Sequence, residues 1–299
     1  MFKKVIILLF FLFSVLNFAN VIVVEDFSQD MPAFSKSVYI KKTRHSFASK
    51  RKEPRKIKRE QKVVQKEFSS KENNRVAHKI KSHRKKRAKL LIIIDDVTSK
   101  RQIDFLQSLP FKVTPSIFPP SKMSYATPTL AKNLKHYMIH LPLQSKSRVL
   151  NKMNKTLFVY DSDAKIKKRV AELRRLFPNA KYVNNHTGSV FTSNYKKSKV
   201  LIKELHKQGF IFLDSRTTQY SKIKRINKEL HLRYLKNDIY IDNTQSVEYI
   251  LKQLKKGVTL AKKRGYAVVI GHPHPTTFKA LKRLKPYLKD VETVYIDEF

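Results

Sequence analysis

The 299-residue chain contains no cysteine, which excludes a disulfide framework. That absence suits an exported bacterial protein as well as a cytosolic one, so it fixes no compartment alone. A hydrophobic run long enough to span a bilayer comfortably is also missing from the N-terminus, where the apolar stretch from Val5 to Leu16 falls short of the required length. Acidic residues are scarce, 23 against 64 Lys plus Arg, and the formal net charge is +41. Such an excess ordinarily points to nucleic acid. Here it is spread along the chain: 22 basic and 7 acidic residues lie between Glu25 and Leu90, and 40 and 16 from Leu91 to Phe299. A DNA-binding domain concentrates its charge on one element, so nucleic acid is not expected as a partner. A chain-wide lysine bias, or attraction to anionic envelope polymers, accounts for the charge.

What stands at the N-terminus is Lys3-Lys4, the short apolar run, and small or polar residues around Ala19 and Asn20. That order is the pattern of a secretory signal over residues 1–24, cleaved or kept as a membrane anchor. The expected location is therefore the periplasm, free or attached by the N-terminus. Residues 25–88 hold runs such as Lys50-Arg51-Lys52 and Arg84-Lys85-Lys86-Arg87, with no glycine and no sustained apolar period. They cannot bury enough apolar surface to offset the entropy of ordering, and read as a basic disordered tether.

From residue 89 the pattern changes, and residues 89–299 suit one compact domain. Strand-like runs fall at 90–94, 113–118, 137–141, 181–184, 210–213, 238–241, 267–270 and 293–296. Between them Ile166, Val170, Leu173 and Phe177 recur at helical spacing, as do Val247, Ile250, Leu254, Val258 and Ala261. Ser162 and Ser246 are placed to cap these helices, and Gly209 and Gly265 to end helices. The alternation predicts an α/β fold with a largely parallel sheet, either doubly wound or closed into a barrel. In both, function gathers at the C-terminal ends of the strands.

The residues at the ends of these runs are Asp95-Asp96, His140, Asn184-Asn185-His186, Asp214-Ser215, Asp242, and then His272 and His274. Singly, an Asp here is commonly a cap and a His a structural residue. Together they make a set in which a carboxylate and two imidazoles can hold a divalent ion such as zinc, with another acid as general base and another His as general acid. Adjacent residues on a strand face opposite ways, so Asp95 and Asp96 are expected in a turn just beyond it.

The stretches Ile92-Ile93-Ile94-Asp95-Asp96, Ile139-His140-Leu141-Pro142-Leu143, Asn184-Asn185-His186-Thr187-Gly188-Ser189, Phe212-Leu213-Asp214-Ser215-Arg216-Thr217 and Gly271-His272-Pro273-His274-Pro275 resemble, in this order, the divergent polysaccharide deacetylase family. The resemblance implies a distorted (β/α) barrel of about seven strands, similar to the NodB-type deacetylases. It implies Asp95 as base, Asp96, His140 and His186 as ligands of a divalent metal such as zinc, and His272 or His274 as acid. The His-x-x-x-His pair of those enzymes is absent, Gln144 standing where the second His would be, and His186 is assigned in its place by inference. Asn184, Asn185 and Ser189 are then expected to orient substrate or support ligands, and Asp214 and Asp242 to fix imidazoles or cap helices. The implied reaction is hydrolysis of an acetamide on an N-acetylated glycan or peptidoglycan. A non-catalytic glycan-binding or scaffolding protein on the same fold is the rival, and the divergent metal motif is what favours it.

Overall fold

The computed structural model describes residues 87–121, 124–152 and 155–299. The expected signal and all but the end of the expected tether lie outside them. That end already belongs to the fold. The first strand, β1, spans Ala88–Val97, and the Arg87 guanidinium donates to the Leu288 and Val291 carbonyls.

The other strands are β2 (Thr114–Ile117), β3 (Met138–Leu143), β4 (Tyr182–Thr187), β5 (Ile211–Asp214), β6 (Leu235–Lys236), β7 (Ile239–Tyr240), β8 (Tyr266–Gly271) and β9 (Val291–Val294). The helices are α1 (Lys100–Gln107), α2 (Thr127–Lys132), α3 (Asp163–Leu176), α4 (Tyr195–Lys207), α5 (Ile223–Glu229), α6 (Val247–Arg264) and α7 (Pro275–Lys282). Eight strands pair in the order β6-β5-β4-β3-β2-β1-β8-β7, every pair parallel, while β9 lies beside the first half of β1. Only Asn237 and Asp238 separate the two end strands, β6 and β7, in sequence, and the sheet curls into a half-barrel.

Local chemistry sets the helix limits. The Ser162 and Ser246 hydroxyls accept the Lys165 and Tyr249 backbone N–H groups at the starts of α3 and α6. Gly265 ends α6 at φ 89°, a conformation that glycine takes without penalty. Strand alternation then divides the core in two. Leu90, Ile92 and Ile94 face the helices, whereas Leu91 and Ile93 join Met138, Leu213, Leu235, Val268, Ile270 and Val294 inside the barrel. Each such fully buried aliphatic chain contributes roughly 1.5–3 kcal/mol. Continuing each strand's inward series by two residues leads from this apolar layer to its mouth.

Candidate active site

The inward series run Leu91, Ile93, Asp95 on β1, Met138, His140 on β3, Tyr182, Asn184, His186 on β4, and Ile270, His272 at the end of β8. The site is therefore the polar last layer of the barrel interior. Its residues sit mostly within strands rather than beyond them, since β3 and β4 extend to Leu143 and Thr187.

The two aspartates also lie within β1, not in a turn after it. Alternation would send Asp96 to the helix side. Instead, three residue steps of β1 from Ile94 to Val97 oppose two of β2 from Pro115 to Ile117, so the strand carries one extra residue. This is a β-bulge, and Asp96 occupies it with φ 57°. The bulge brings both carboxylates to one place and returns Val97 to the helix-facing core.

Three ligand-type atoms converge there. Asp96 Oδ1 is 3.1 Å from His140 Nε2 and 3.0 Å from His186 Nδ1, and the two nitrogens are 3.2 Å apart. Bonds of about 2.0–2.2 Å to one divalent ion place ligand atoms at such separations, so this donor set fits a metal. The hydrogen-bond roles agree. Asn184 Nδ2 donates to Asp95 Oδ1 at 2.8 Å, which fixes its amide so that Oδ1 faces the Ser116 hydroxyl and His140 Nδ1, each at 2.8 Å. An acceptor at Nδ1 keeps the proton on that nitrogen and leaves the Nε2 lone pair for the centre. The Phe118 ring closes the site from one side, its centroid 5.1 Å from the His140 ring and 4.8 Å from that of His186.

The two carboxyls are driven apart electrostatically. Burial pushes Asp95 above the usual carboxylate range, and His140 and His272 only partly offset it. Burial also opposes the charge of Asp96, but the close contacts with the His140 and His186 imidazoles outweigh it and hold that carboxyl well below its usual range. A proton acceptor beside a permanently ionised carboxylate is the division of labour such a pair can support.

His272 forms the other wall. Its Nδ1 is 3.1 Å from Asp242 Oδ1, and Asp242 Oδ2 accepts its backbone N–H and the Thr277 hydroxyl. Burial works against a charged ring, yet the Asp242 hydrogen bond and charge, with help from Asp95 and Asp96, raise His272 to about 9. Gly271 permits this approach, because a Cβ there would meet Ile241 at 2.7 Å. His274 is exposed, starts α7 without a side-chain cap bond, and has its ring centroid 6.1 Å from that of His272. Ligand-type atoms of Asp242, His272 and His274 also lie within 4.8 Å of one another.

Other expected residues serve the frame. Asn185 Oδ1 accepts the Ser215 N–H and its amide reaches the Thr187 carbonyl, while Ser189 accepts the Lys146 N–H. Both tie loops together at the barrel mouth. Asp214 does not orient an imidazole. Its neighbour Leu213 faces the barrel interior, so Asp214 points the other way and gathers the Arg216 N–H and the Ser221 and Tyr234 hydroxyls. Ser116, Phe118 and Tyr240 were not anticipated as site residues. Tyr240 donates to the Ser215 carbonyl, and its ring lies parallel to that of His272, within 4°. The inward alternation of β2, through Thr114, Ser116 and Phe118, was the signal available for the first two.

A curled parallel half-barrel with an Asp/His cluster at its C-terminal mouth is thus what the chain builds. The profile of the divergent polysaccharide deacetylase family matches residues 92–299, and the chain belongs to that family. An uncharacterized protein of Haemophilus influenzae is 30% identical over 210 residues, covering 69% of this chain and 75% of its own length. The uncharacterized protein YibQ of Escherichia coli K12 is 28% identical over 198 residues, covering 66% of this chain and 62% of its own. Among solved structures, the uncharacterized protein ATU2773 of Agrobacterium tumefaciens shares the fold, with a TM-score of 0.62 and 18% identity over 71% of this chain and 89% of its own.

Proposed function

We propose that this chain is a metal-dependent hydrolase that removes N-acetyl groups from an envelope polysaccharide or peptidoglycan, working outside the cytoplasm. The observation that carries the reading is the triangle of Asp96 Oδ1, His140 Nε2 and His186 Nδ1 with edges of 3.0–3.2 Å, set beside a buried Asp95. Family membership supports the substrate class, and the N-terminal Lys3-Lys4 with its apolar run supports export. A divalent ion held by Asp96, His140 and His186 would polarise the acyl carbonyl and make water nucleophilic at neutral pH.

The chain's own groups do the proton work. Asp95, with its affinity for protons raised by burial, accepts the water proton, and Asn184 holds its Oδ1 in place. His272 keeps Nδ1 on Asp242, so Nε2 is the atom that passes a proton to the leaving amine. Its elevated proton affinity keeps it charged at neutral pH. His274, exposed and without a carboxylate partner at hydrogen-bond distance, is the weaker candidate for acid. Tyr125, Tyr160 and Tyr220 are 81, 73 and 61% exposed on the loops after β2, β3 and β5, at the same end of the sheet. Exposed aromatic faces there suit the flat apolar faces of sugar rings.

Acetate release from chitooligosaccharides and from peptidoglycan fragments, with and without added zinc, tests the reading. Metal-dependent release that Asp95→Asn abolishes supports it. A protein that binds metal and glycan but releases no acetate from either substrate is instead a binding protein on this fold.

A further inference from the structure

A second charged feature lies on α3, apart from the Asp/His cluster. A groove of about 700 Å³ runs between one face of α3 and residues 155–158 of the loop after β3. Lys165, Lys168, Arg169, Glu172 and Arg175 line it at helical spacing, with Lys155 on the loop. Lys168 and Arg175 are exposed, but Arg169 is only 5% exposed. Arg169 Nη1 donates to Glu172 Oε2 at 2.8 Å, whereas Nε and Nη2 have no hydrogen-bond partner among the described residues. Those two nitrogens share one edge of the guanidinium. That edge carries the two parallel N–H bonds that grip a carboxylate or phosphate in bidentate fashion.

Leaving charged donors buried and unpaired is costly. Position 169 does not need an arginine for packing, since the neighbouring Ile166, Val170 and Leu173 of α3 fill the core with aliphatic chains. The surrounding charge is also one-sided. Glu172 already serves both Lys155 and Arg169, and Asp161 serves Lys165. This leaves the Arg169 edge, Lys168 and Arg175 as surplus positive charge. A phosphomonoester, carrying about −1.5 to −2 at pH 7, matches that surplus better than a single carboxylate. Leu157 and Phe158 add an apolar wall.

We propose that this groove binds a phosphate group, with Arg169 Nε and Nη2 as its bidentate fork, Lys168 and Arg175 as flanking cations, and Leu157 and Phe158 against the group's organic part. Both nitrogens are shielded from solvent, so a phosphate reaches the fork only when side chains lining the groove move. The phosphate can come from a small soluble phosphomonoester or from a phospholipid headgroup.

A chain of net charge +41 attracts any polyanion, so the discriminating variant is the charge-preserving Arg169→Lys. Binding of glycerol 3-phosphate to the full chain is measured by calorimetry at constant ionic strength, alongside sedimentation with phosphatidylcholine vesicles containing phosphatidic acid. The expected result is saturable binding at one site, weakened at least tenfold by Arg169→Lys. Loss with the variant in the vesicle arm alone assigns the phosphate to lipid, and loss in the soluble arm alone assigns it to a free ester. Equal binding by wild type and Arg169→Lys in both arms overturns the proposal. Should Arg169→Lys fail to fold, Lys168→Gln/Arg175→Gln is compared with Lys224→Gln/Lys252→Gln, a pair with the same loss of charge elsewhere on the surface. A larger loss at the groove supports the site, and equal losses overturn it.

Discussion

Replacing Asp242 by Asn keeps the shape and one acceptor of the side chain but removes the charge that faces His272. In the wild type that charge, with the 3.1 Å hydrogen bond to Nδ1, is the main influence lifting His272 from 6.5 to about 9 against the opposing effect of burial. At roughly 1.36 kcal/mol per pK, the lift corresponds to about 3 kcal/mol. Asp242→Asn should return the ring to about 6.5 or below. At pH 7.5 the protonated fraction then falls from nearly all to about a tenth, so a reaction that draws its proton from His272 slows about tenfold at that pH. The loss shrinks below pH 6, where both forms are protonated. The stability consequence has a definite sign. The folded protein holds its proton more tightly than the unfolded chain, so the stabilisation is complete below about 6.5 and is lost as pH rises through about 9. NMR titration of the His272 ring, with urea unfolding at pH 6 and pH 9, checks both parts. A wild-type ring that titrates near 6.5, or a variant whose ring titrates like the wild type's, refutes the reasoning.

Four further substitutions separate the roles of neighbouring residues. Asp95→Asn leaves Asp96 and both imidazoles intact, so metal content should hold while turnover drops by ~10²–10⁴, whereas His140→Ala should lose metal and activity together. Comparing zinc content and acetate release in the two proteins decides. Asn184→Ala removes the amide shared by Ser116, His140 and Asp95, and a competition titration should show metal affinity reduced about 10- to 100-fold. Gly188→Ala forces a side chain into a φ of +95°, with its Cβ 3.1 Å from Leu143 Cβ. The cost of about 1–2 kcal/mol should lower the thermal midpoint by roughly 2–8 °C.

Sequence and structure part company where geometry depends on one residue more or less. The strands at 90–94 and 267–270 were legible because both faces are buried, which makes them continuous apolar runs. β6 was missed because Leu235–Lys236 is two residues long and has no period to detect. β3 and β4 ran further than expected, since Pro142 still pairs with His186 and polar Asn184, Asn185 and His186 occupy strand positions inside the barrel mouth. Motif spacing brought Asp95, Asp96, His140, His186 and His272 together as candidates. It did not reveal the bulge that lets Asp95 and Asp96 share a site, because an extra residue in a strand leaves no mark in composition. Asp214 was grouped with them for the converse reason. It ends the same β5 run, but strand alternation turns it outward, toward Ser221 and Tyr234.

The central claim is that Asp96, His140 and His186 hold one divalent ion, and elemental analysis of the purified full chain after zinc loading and buffer exchange tests it most directly. About one zinc per chain is expected in the wild type, near zero in His186→Ala, and an unchanged content in His272→Ala. A wild type that keeps no metal, or zinc that is lost with His272 and retained without His186, would contradict it.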